Sequence, residues 1–142
     1  MTLSSIEQMA APRVGVGVLV TNGEGKVLLT LRKCAPEAGR WSLVGSKVEF
    51  MERLEDAAQR ETLEESGLEV ELIHLLGVTD HLLPDEGDHW VAPAYHARII
   101  GGRLRNLEPD KTEAIRSISL DALPDKLTLT AQSALTALKK GL

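Results

Sequence analysis

The sequence is poor in the features that mark secreted and membrane proteins. Cys34 is the one cysteine among 142 residues, so no disulfide can form within the chain, and a reducing compartment is expected. No apolar run approaches the roughly 20 residues of a membrane-spanning helix. The first twelve residues contain no Lys or Arg, so we expect no signal peptide there. We therefore expect a cytoplasmic protein that does not contact a membrane.

Positive charge and aromatic residues are also scarce. With 16 Lys and Arg against 21 Asp and Glu, the net charge is -5, so nucleic acid is not the expected partner. A small anionic ligand would need a bound cation or a local basic patch. Aromatic residues make up 3% of the chain, and among them Trp90 and Tyr95 are candidates either for stacking on a base or for the core.

Length and hydrophobic periodicity predict one α/β domain. We expect a flexible leader over residues 1–12 and a single domain over residues 13–142. The order of elements lacks regular βαβ alternation and is typical of a central mixed sheet with helices on both faces. The predicted elements are a hairpin over 14–21 and 27–32, an extended piece at 40–44, a helix over 53–66, strands over 68–83, 89–100 and 113–120, and a helix over 130–141.

Single residues refine this prediction. Gly67 supplies a left-handed end to the first helix. Gly77 marks a bulge in the long strand, and Pro93 marks an edge or a bulge because proline cannot donate to a sheet ladder. The buried stripe of the first helix is predicted to be Leu54, Ala57, Ala58 and Thr62.

The segment AQRETLEESGL, residues 58–68, concentrates negative charge at the end of that helix. Glu61, Glu64 and Glu65 stand at i, i+3 and i+4, so like charges meet at a cost of roughly 0.2–0.5 kcal/mol for each pair. The helix dipole adds about 0.3–1 kcal/mol for each anion in the last turn. One interpretation is a solvated acidic helix end that tolerates this penalty. The other is a bound divalent cation, since carboxylates suit Mg²⁺ or Mn²⁺.

The neighbouring residues favour the cation. Arg60 adjoins the cluster and can pair with a carboxylate to orient it. Glu49 and Glu52 lie in the loop just before the helix, so further acids meet at the same loop–helix junction.

The spacing of these residues is also that of a known family. Residues 45–68, GSKVEFMERLEDAAQRETLEESGL, resemble the nudix box, in which G, five residues, E and seven residues precede R-E-U-x-E-E-x-G-U. The match is highly specific in its C-terminal half, where Glu52 is followed by seven residues and then by Arg60 and Glu61, and where Thr62 replaces an aliphatic residue. The N-terminal half departs: Ser46 replaces the motif glycine although Gly45 is kept, and Val44 and Met51 replace proline and glycine.

The resemblance extends over about residues 13–125. The opening hairpin resembles the first nudix hairpin, and NLEPDK at 106–111 with DALP at 121–124 resembles the MutT-like branch, which hydrolyses nucleoside triphosphates. Ile115 and Ser117 stand where that branch often has tryptophan. The resemblance implies a nudix-like α/β/α sandwich that releases a nucleoside monophosphate and pyrophosphate.

The same resemblance implies roles for particular residues. It assigns Mg²⁺ or Mn²⁺ to Glu61, Glu64, Glu65 and the Ser46 carbonyl. A proton acceptor for water is expected among Glu61, Glu64 and the downstream acid Glu108, with Arg60 orienting the carboxylates. Arg32 and Lys47 are the expected phosphate contacts.

Two other functions stay open. The altered loop suits a nudix-fold module that binds a nucleotide without turnover. Pro84, sixteen residues after Leu68, suits an ADP-ribose hydrolase. His74, His81, His89 and His96 show no zinc spacing and are expected to be strand residues without a ligand role. By analogy with the family, a homodimer is expected.

Overall fold

The computed structural model describes residues 11–141, so most of the predicted leader lies outside the described residues. Within that range no helix is both long and apolar enough to cross a membrane. The strands are β1 Arg13–Val14, β2 Gly17–Thr21, β3 Lys26–Arg32, β4 Trp41–Ser42, β5 Leu68–Leu83, β6 Asp88–Gly102 and β7 Thr112–Ser119. The helices are α1 Leu54–Ser66 and α2 Leu129–Lys140, with short 3₁₀ turns at Pro84–Glu86 and Leu120–Ala122.

All seven strands form one mixed sheet, which confirms the predicted fold class. β6 runs parallel to β1 and β2 on one side and antiparallel to β5 on the other. β3 pairs antiparallel with β2, β4 and β7. The predicted first strand is divided into β1 and β2, because the Val16 N–H donates to the Ser46 carbonyl at 2.8 Å instead of to β6.

The two faces of the sheet bury two separate clusters of apolar side chains. β2 is buried on both faces, with Val18 directed to the cluster that contains Ala57 and Ala58 of α1. Leu19 is directed to the cluster that contains Leu135 of α2. Since each helix covers one face, the continuous apolar run of β2 follows from burial on both sides.

Helix α1 matches most of its predicted stripe. Ala57, Ala58 and Thr62 are fully buried, whereas Leu54 is 36% exposed and its predicted burial is wrong, because it opens the helix at the surface. The Thr62 hydroxyl donates to the Ala58 carbonyl at 2.8 Å, so this threonine leaves no unsatisfied polar group in the core. Gly67 ends the helix with φ 75, as predicted.

Pro93 does not lie on an edge, so that part of the prediction is wrong. β6 is an inner strand, and β5 is the strand beside it that pairs with no other strand among the described residues. The expected bulge is present: the β5 register shifts between Leu75 and Gly77, opposite Tyr95 and Ala94 of β6. Proline is tolerated beside this bulge and next to the break between β1 and β2, where the ladder is already interrupted.

The loop before α1 shows which of its positions require glycine. Gly45 has φ 128, and a Cβ there would lie 2.0 Å from the Val16 carbonyl oxygen, so this glycine cannot be replaced. Ser46 has no positive φ, and its serine is compatible with the loop. Met51 has φ 68 and is 87% exposed, so it adopts a left-handed conformation with no packing to offset the strain.

We expect Met51→Gly to stabilise the protein by roughly 0.5–1 kcal/mol, because glycine adopts positive φ without the Cβ clash. The matched control is Phe50→Gly: Phe50 is 95% exposed and has no positive φ, so glycine should destabilise there by a similar amount. Urea denaturation of the two variants in EDTA measures both effects. Equal losses of stability would show that Met51 is not strained.

Candidate functional site

The structure places all eight predicted site residues along one cleft of about 640 Å³. Its walls come from the end of β3, the loop before α1, one face of α1 and the segment before β7. The eight residues are Arg32, Ser46, Lys47, Arg60, Glu61, Glu64, Glu65 and Glu108.

Three of the carboxylates are gathered closely. Glu61, Glu65 and Glu108 each direct one oxygen into a group whose members lie within 4.8 Å of one another. Glu61 is buried, and the other two are partly buried. Glu64 lies outside this group, is 53% exposed and pairs with Arg60, because α1 turns its side chain towards the surface. Its predicted role as a ligand therefore stays a prediction.

Burial disfavours the ionised form of the carboxyl groups in this cluster. Desolvation raises the pKa of Glu61 above its ordinary value of 4.5. Desolvation likewise raises the pKa of Glu65 to about 9, against the Gly45 N–H that donates to it, and the charges of Glu61 and Glu108 add to the increase. Oxygen donors that repel one another fit a divalent cation such as Mg²⁺ or Mn²⁺, which neutralises them.

Arg60 is the cation that organises the acids around the cluster. Its guanidinium donates to both oxygens of Glu52, at 2.7 and 2.9 Å, and to Glu61 at 2.9 Å and Glu64 at 3.1 Å. It also donates to the Lys47 carbonyl at 3.4 Å. This pairing lowers the pKa of Glu52 to about 2. Arg60 therefore fixes the loop before α1 to the helix and orients Glu61.

Glu108 reaches the cluster because its segment is bound to the end of α1. The N–H groups of Arg103, Arg105 and Leu107 donate to the carbonyls of Gly67, Ser66 and Glu65 at 3.2, 2.9 and 3.2 Å. These bonds satisfy carbonyls that a helix end leaves without partners. They also align the segment with the last turn of the helix, one residue before Glu108.

Asn106 then fixes the position of Glu108. Its amide nitrogen donates to the Thr112 carbonyl at 2.8 Å, and its amide oxygen accepts from the Glu108 N–H at 3.2 Å. Asn106 is not among the site residues that the sequence predicts. The available signal was an asparagine two residues before an acid, a pattern typical of side chains that form local turns.

The two predicted phosphate contacts line the same cleft, Arg32 from the end of β3 and Lys47 from the loop before α1. Arg32 donates to the Pro36 carbonyl at 2.6 Å and to the Ala35 carbonyl at 3.5 Å, so its guanidinium also holds the loop at 33–40. Lys47 lines the cleft from the loop before α1. The Ser46 carbonyl accepts from the Val16 N–H and retains a second lone pair.

A smaller pocket of about 150 Å³ adjoins the cleft and shares Arg32, Lys47 and Trp90 with it. Tyr95 is buried in the core and does not line either cavity, whereas Trp90 lines both. His81 also lines the small pocket, and its Nε2 lies 2.6 Å from Glu37 Oε1. The sequence predicts His81 only as a strand residue, because nothing in the local pattern connects it to Glu37.

Comparison with known proteins agrees with this arrangement. A sequence profile described as NUDIX domain matches residues 11–138. A solved structure of a MutT NUDIX hydrolase from Burkholderia pseudomallei is 44% identical, with a TM-score of 0.85, and the match covers 90% of this chain and 98% of that chain.

Two curated relatives match over shorter stretches. An oxidized purine nucleoside triphosphate hydrolase from Mus musculus is 45% identical over 69 residues, 49% of this chain and 44% of that protein. An ADP-ribose pyrophosphatase from Methanocaldococcus jannaschii is 35% identical over 94 residues, 66% of this chain and 55% of that protein. The match therefore spans less than two thirds of either relative.

The raised pKa of Glu65 predicts how stability depends on pH without metal. The carboxyl is neutral in the folded protein up to about pH 9 but ionises near its ordinary value of 4.5 when unfolded. Between these two values the folded state binds more protons than the unfolded state. The stability that the neutral carboxyl provides is therefore complete below pH 4.5 and is lost as the pH rises towards 9. We expect Glu65→Gln to remove much of the decline in melting temperature between pH 5 and pH 9 in EDTA.

The matched control is Glu55→Gln, which removes an exposed carboxylate from the same helix. It should leave the decline in place. A Glu65→Gln profile that falls as steeply as that of the unchanged protein would contradict the assignment.

The contacts of Asn106 predict an effect on metal binding. Asn106→Ala frees the segment that holds Glu108 and should weaken Mn²⁺ binding by about 10-fold or more. Asn106→Asp keeps the acceptor for the Glu108 N–H and should have a smaller effect. Calorimetric titration with Mn²⁺ measures both variants. Arg103→Ala is the control, because only its backbone binds α1, and a loss equal to that of Asn106→Ala would refute the specific role of Asn106.

Proposed function

This chain belongs to the NUDIX hydrolase family, and from that premise we propose that it is a metal-dependent nucleoside triphosphate pyrophosphatase. The proposal is supported chiefly by the group formed by Glu61, Glu65 and Glu108, which shares one cleft with Arg32 and Lys47. Oxygen donors for a cation and cationic donors for phosphate in the same cleft suit a polyphosphate substrate.

We infer that Glu61 and Glu65 hold Mg²⁺ or Mn²⁺, together with Glu64 and the Ser46 carbonyl. A divalent cation bound there neutralises phosphate charge and lowers the pKa of a bound water. The donor set fits this assignment because every group in it is a hard oxygen ligand. Arg60 keeps Glu61 and Glu64 in place through its ion pairs.

We assign phosphate binding and the acceptance of a proton from water to side chains of the cleft. Arg32 and Lys47 hold the phosphates in the cleft that they share with the carboxylates. The oxygen of a water molecule forms a new bond to phosphorus, the bond between the α and β phosphates breaks, and pyrophosphate leaves. The proton of the water passes to a carboxylate, for which Glu108 is our first candidate because it lies in the group and is partly accessible. Glu61 and Glu64 are the other candidates.

We propose an oxidised purine nucleotide as the substrate, on the likeness to the mouse relative. The second candidate substrate is ADP-ribose, which the archaeal relative's name includes. The turn that begins at Pro84 contacts the loop after β3, since the Glu86 carboxylate accepts from the Glu37 N–H at 3.4 Å. A homodimer, a cytoplasmic location and a choice between Mg²⁺ and Mn²⁺ stay predictions.

A binding module without turnover is the weaker alternative. The sequence features that favoured this alternative are the altered residues of the loop before α1. Ser46 occupies a position with no positive φ, and Gly45 retains the conformation that only glycine permits. The strain at Met51 is a positive backbone φ at a residue that is exposed and does not line the cleft.

Product analysis tests the proposal directly. We expect pyrophosphate and a nucleoside monophosphate from at least one triphosphate in a panel with Mg²⁺, and no product in EDTA. ADP-ribose and dinucleotides belong in the same panel. The proposed reaction would be wrong if the triphosphate released inorganic phosphate, or if ADP-ribose alone were hydrolysed.

Removing single carboxylates tests the site. We expect Glu65→Gln and Glu64→Gln to reduce kcat by about 100-fold or more, because each removes a negative oxygen from the proposed metal site. Circular dichroism verifies that the variants remain folded, and Glu55→Gln serves as the control on the same helix. Full activity in both variants would show that the metal assignment is wrong.

A further inference from the structure

The small pocket beside the cleft contains a polar pair that the proposed reaction does not use. His81 lies on β5 and lines the pocket with Trp90 and Pro36. Glu37 lies in the loop after β3 and places its carboxylate 2.6 Å from the ring nitrogen Nε2 of His81. The side chain of His81 is 12% exposed and that of Glu37 is 9% exposed, so the contact between them is largely buried.

Glu37 is held in place from several sides. Its Oε2 accepts from the Leu129 N–H at 3.2 Å, at the start of α2, where the helix dipole favours an anion. Burial raises the pKa of Glu37, but the hydrogen bonds from His81 and from the Leu129 N–H outweigh burial and leave the pKa below 4.5. The carboxyl is therefore ionised at neutral pH.

This charge state fixes the tautomer of His81. An ionised carboxylate can only accept hydrogen bonds, so the shared hydrogen belongs to Nε2 of the imidazole. In the neutral ring the other nitrogen, Nδ1, then carries no hydrogen and acts only as an acceptor. Glu37 is thus a positioning residue that determines which kind of hydrogen bond His81 can make.

Nδ1 of His81 is open to the pocket. Within residues 11–141 no protein group bonds to it. The one buried side-chain nitrogen or oxygen without a partner in that range is Nδ1 of His96, so His81 Nδ1 is reached by solvent. Because the ring is mostly buried and lines the pocket, we infer that Nδ1 opens into the pocket.

The other polar side chains of the pocket do not offer a fixed acceptor. Hydroxyls such as those of Ser42 and Thr130 rotate and can both donate and accept. Arg32 and Trp90 can only donate. His81 is therefore the pocket side chain that can distinguish a base presenting an N–H from a base presenting a lone pair.

Oxidation of a purine at C8 makes that change. The unmodified ring has a lone pair at N7, whereas the 8-oxo form carries an N7–H and a carbonyl at C8. Resting on the proposed function, we propose that His81 Nδ1 accepts the N7–H of a C8-oxidised purine and that Glu37 enforces this preference by fixing the tautomer. A lone pair at N7 would face the lone pair of Nδ1 and lose the hydrogen bond.

A pair of substitutions at position 81 tests the proposal. The side-chain oxygen of asparagine lies near the place of Nδ1, and that of glutamine lies near the place of Nε2. The measured quantity is kcat/KM for 8-oxo-dGTP divided by kcat/KM for dGTP. We expect His81→Asn to keep the preference for 8-oxo-dGTP and His81→Gln to reduce it by about 10-fold or more.

A substitution at position 37 tests the role of the tautomer. The amide of Glu37→Gln can donate to Nε2, which moves the hydrogen of the ring to Nδ1 and turns the acceptor into a donor. The preference should then disappear or reverse in favour of dGTP. The melting temperature is measured in parallel, because Glu37 also accepts from Leu129, but an effect on folding alone would not change the ratio.

Binding of the monophosphates separates this inference from the proposed function. The ratio of Kd values for 8-oxo-dGMP and dGMP is measured by calorimetry and requires no turnover. A binding preference that His81→Gln removes would support His81 even if no triphosphate is hydrolysed, in which case only the proposed reaction fails. The inference would be overturned if the protein without substitutions binds 8-oxo-dGMP and dGMP equally well. It would also be overturned if the His81→Gln variant keeps the preference for 8-oxo-dGMP.

Discussion

The structure depends on keeping several carboxylates together where burial disfavours their charge. Arg60 is the cation that makes this arrangement stable, since one guanidinium contacts Glu52, Glu61 and Glu64. Its pairing with Glu52 holds the loop before α1 against the helix, and the Gly45 N–H donates to Glu65 from the same loop. Burial, together with the charges of Glu61 and Glu108, raises the pKa of Glu65, and a divalent cation would offset this cost of ionising the carboxyl.

The sheet and its helices make this arrangement rigid. α1 is fixed to one face through Ala57, Ala58 and Thr62, which are fully buried and leave no room for the helix to shift. Its last turn, where Glu65 lies, is bound to the segment from Arg103 to Leu107 through backbone hydrogen bonds. An acidic helix end that would otherwise be the weakest part of the helix thus gains partners for its carbonyls.

The site consists of two adjoining cavities, for which we propose different roles. The larger one carries charges of both signs and suits phosphates and a cation. The smaller one is less polar than the larger one, and it contains His81, whose ring Glu37 holds in one tautomer. Arg32, Lys47 and Trp90 line both, so one nucleotide can extend from the first cavity into the second. Chemistry and base selection then depend on different residues.

The sequence by itself determined what is local: α1, its glycine end at Gly67, the i, i+3, i+4 spacing of its acids, and the family that this spacing indicates. Those features follow from helical geometry and from backbone conformations open only to glycine. It did not determine that Pro93 lies in an inner strand, that Glu64 lies outside the close group of Glu61, Glu65 and Glu108, or that Asn106 fixes Glu108. Only the tertiary structure brought Glu37 to His81, 44 positions along the chain. Such contacts are decided by how strands pair and pack, and no local pattern of residues encodes that pairing.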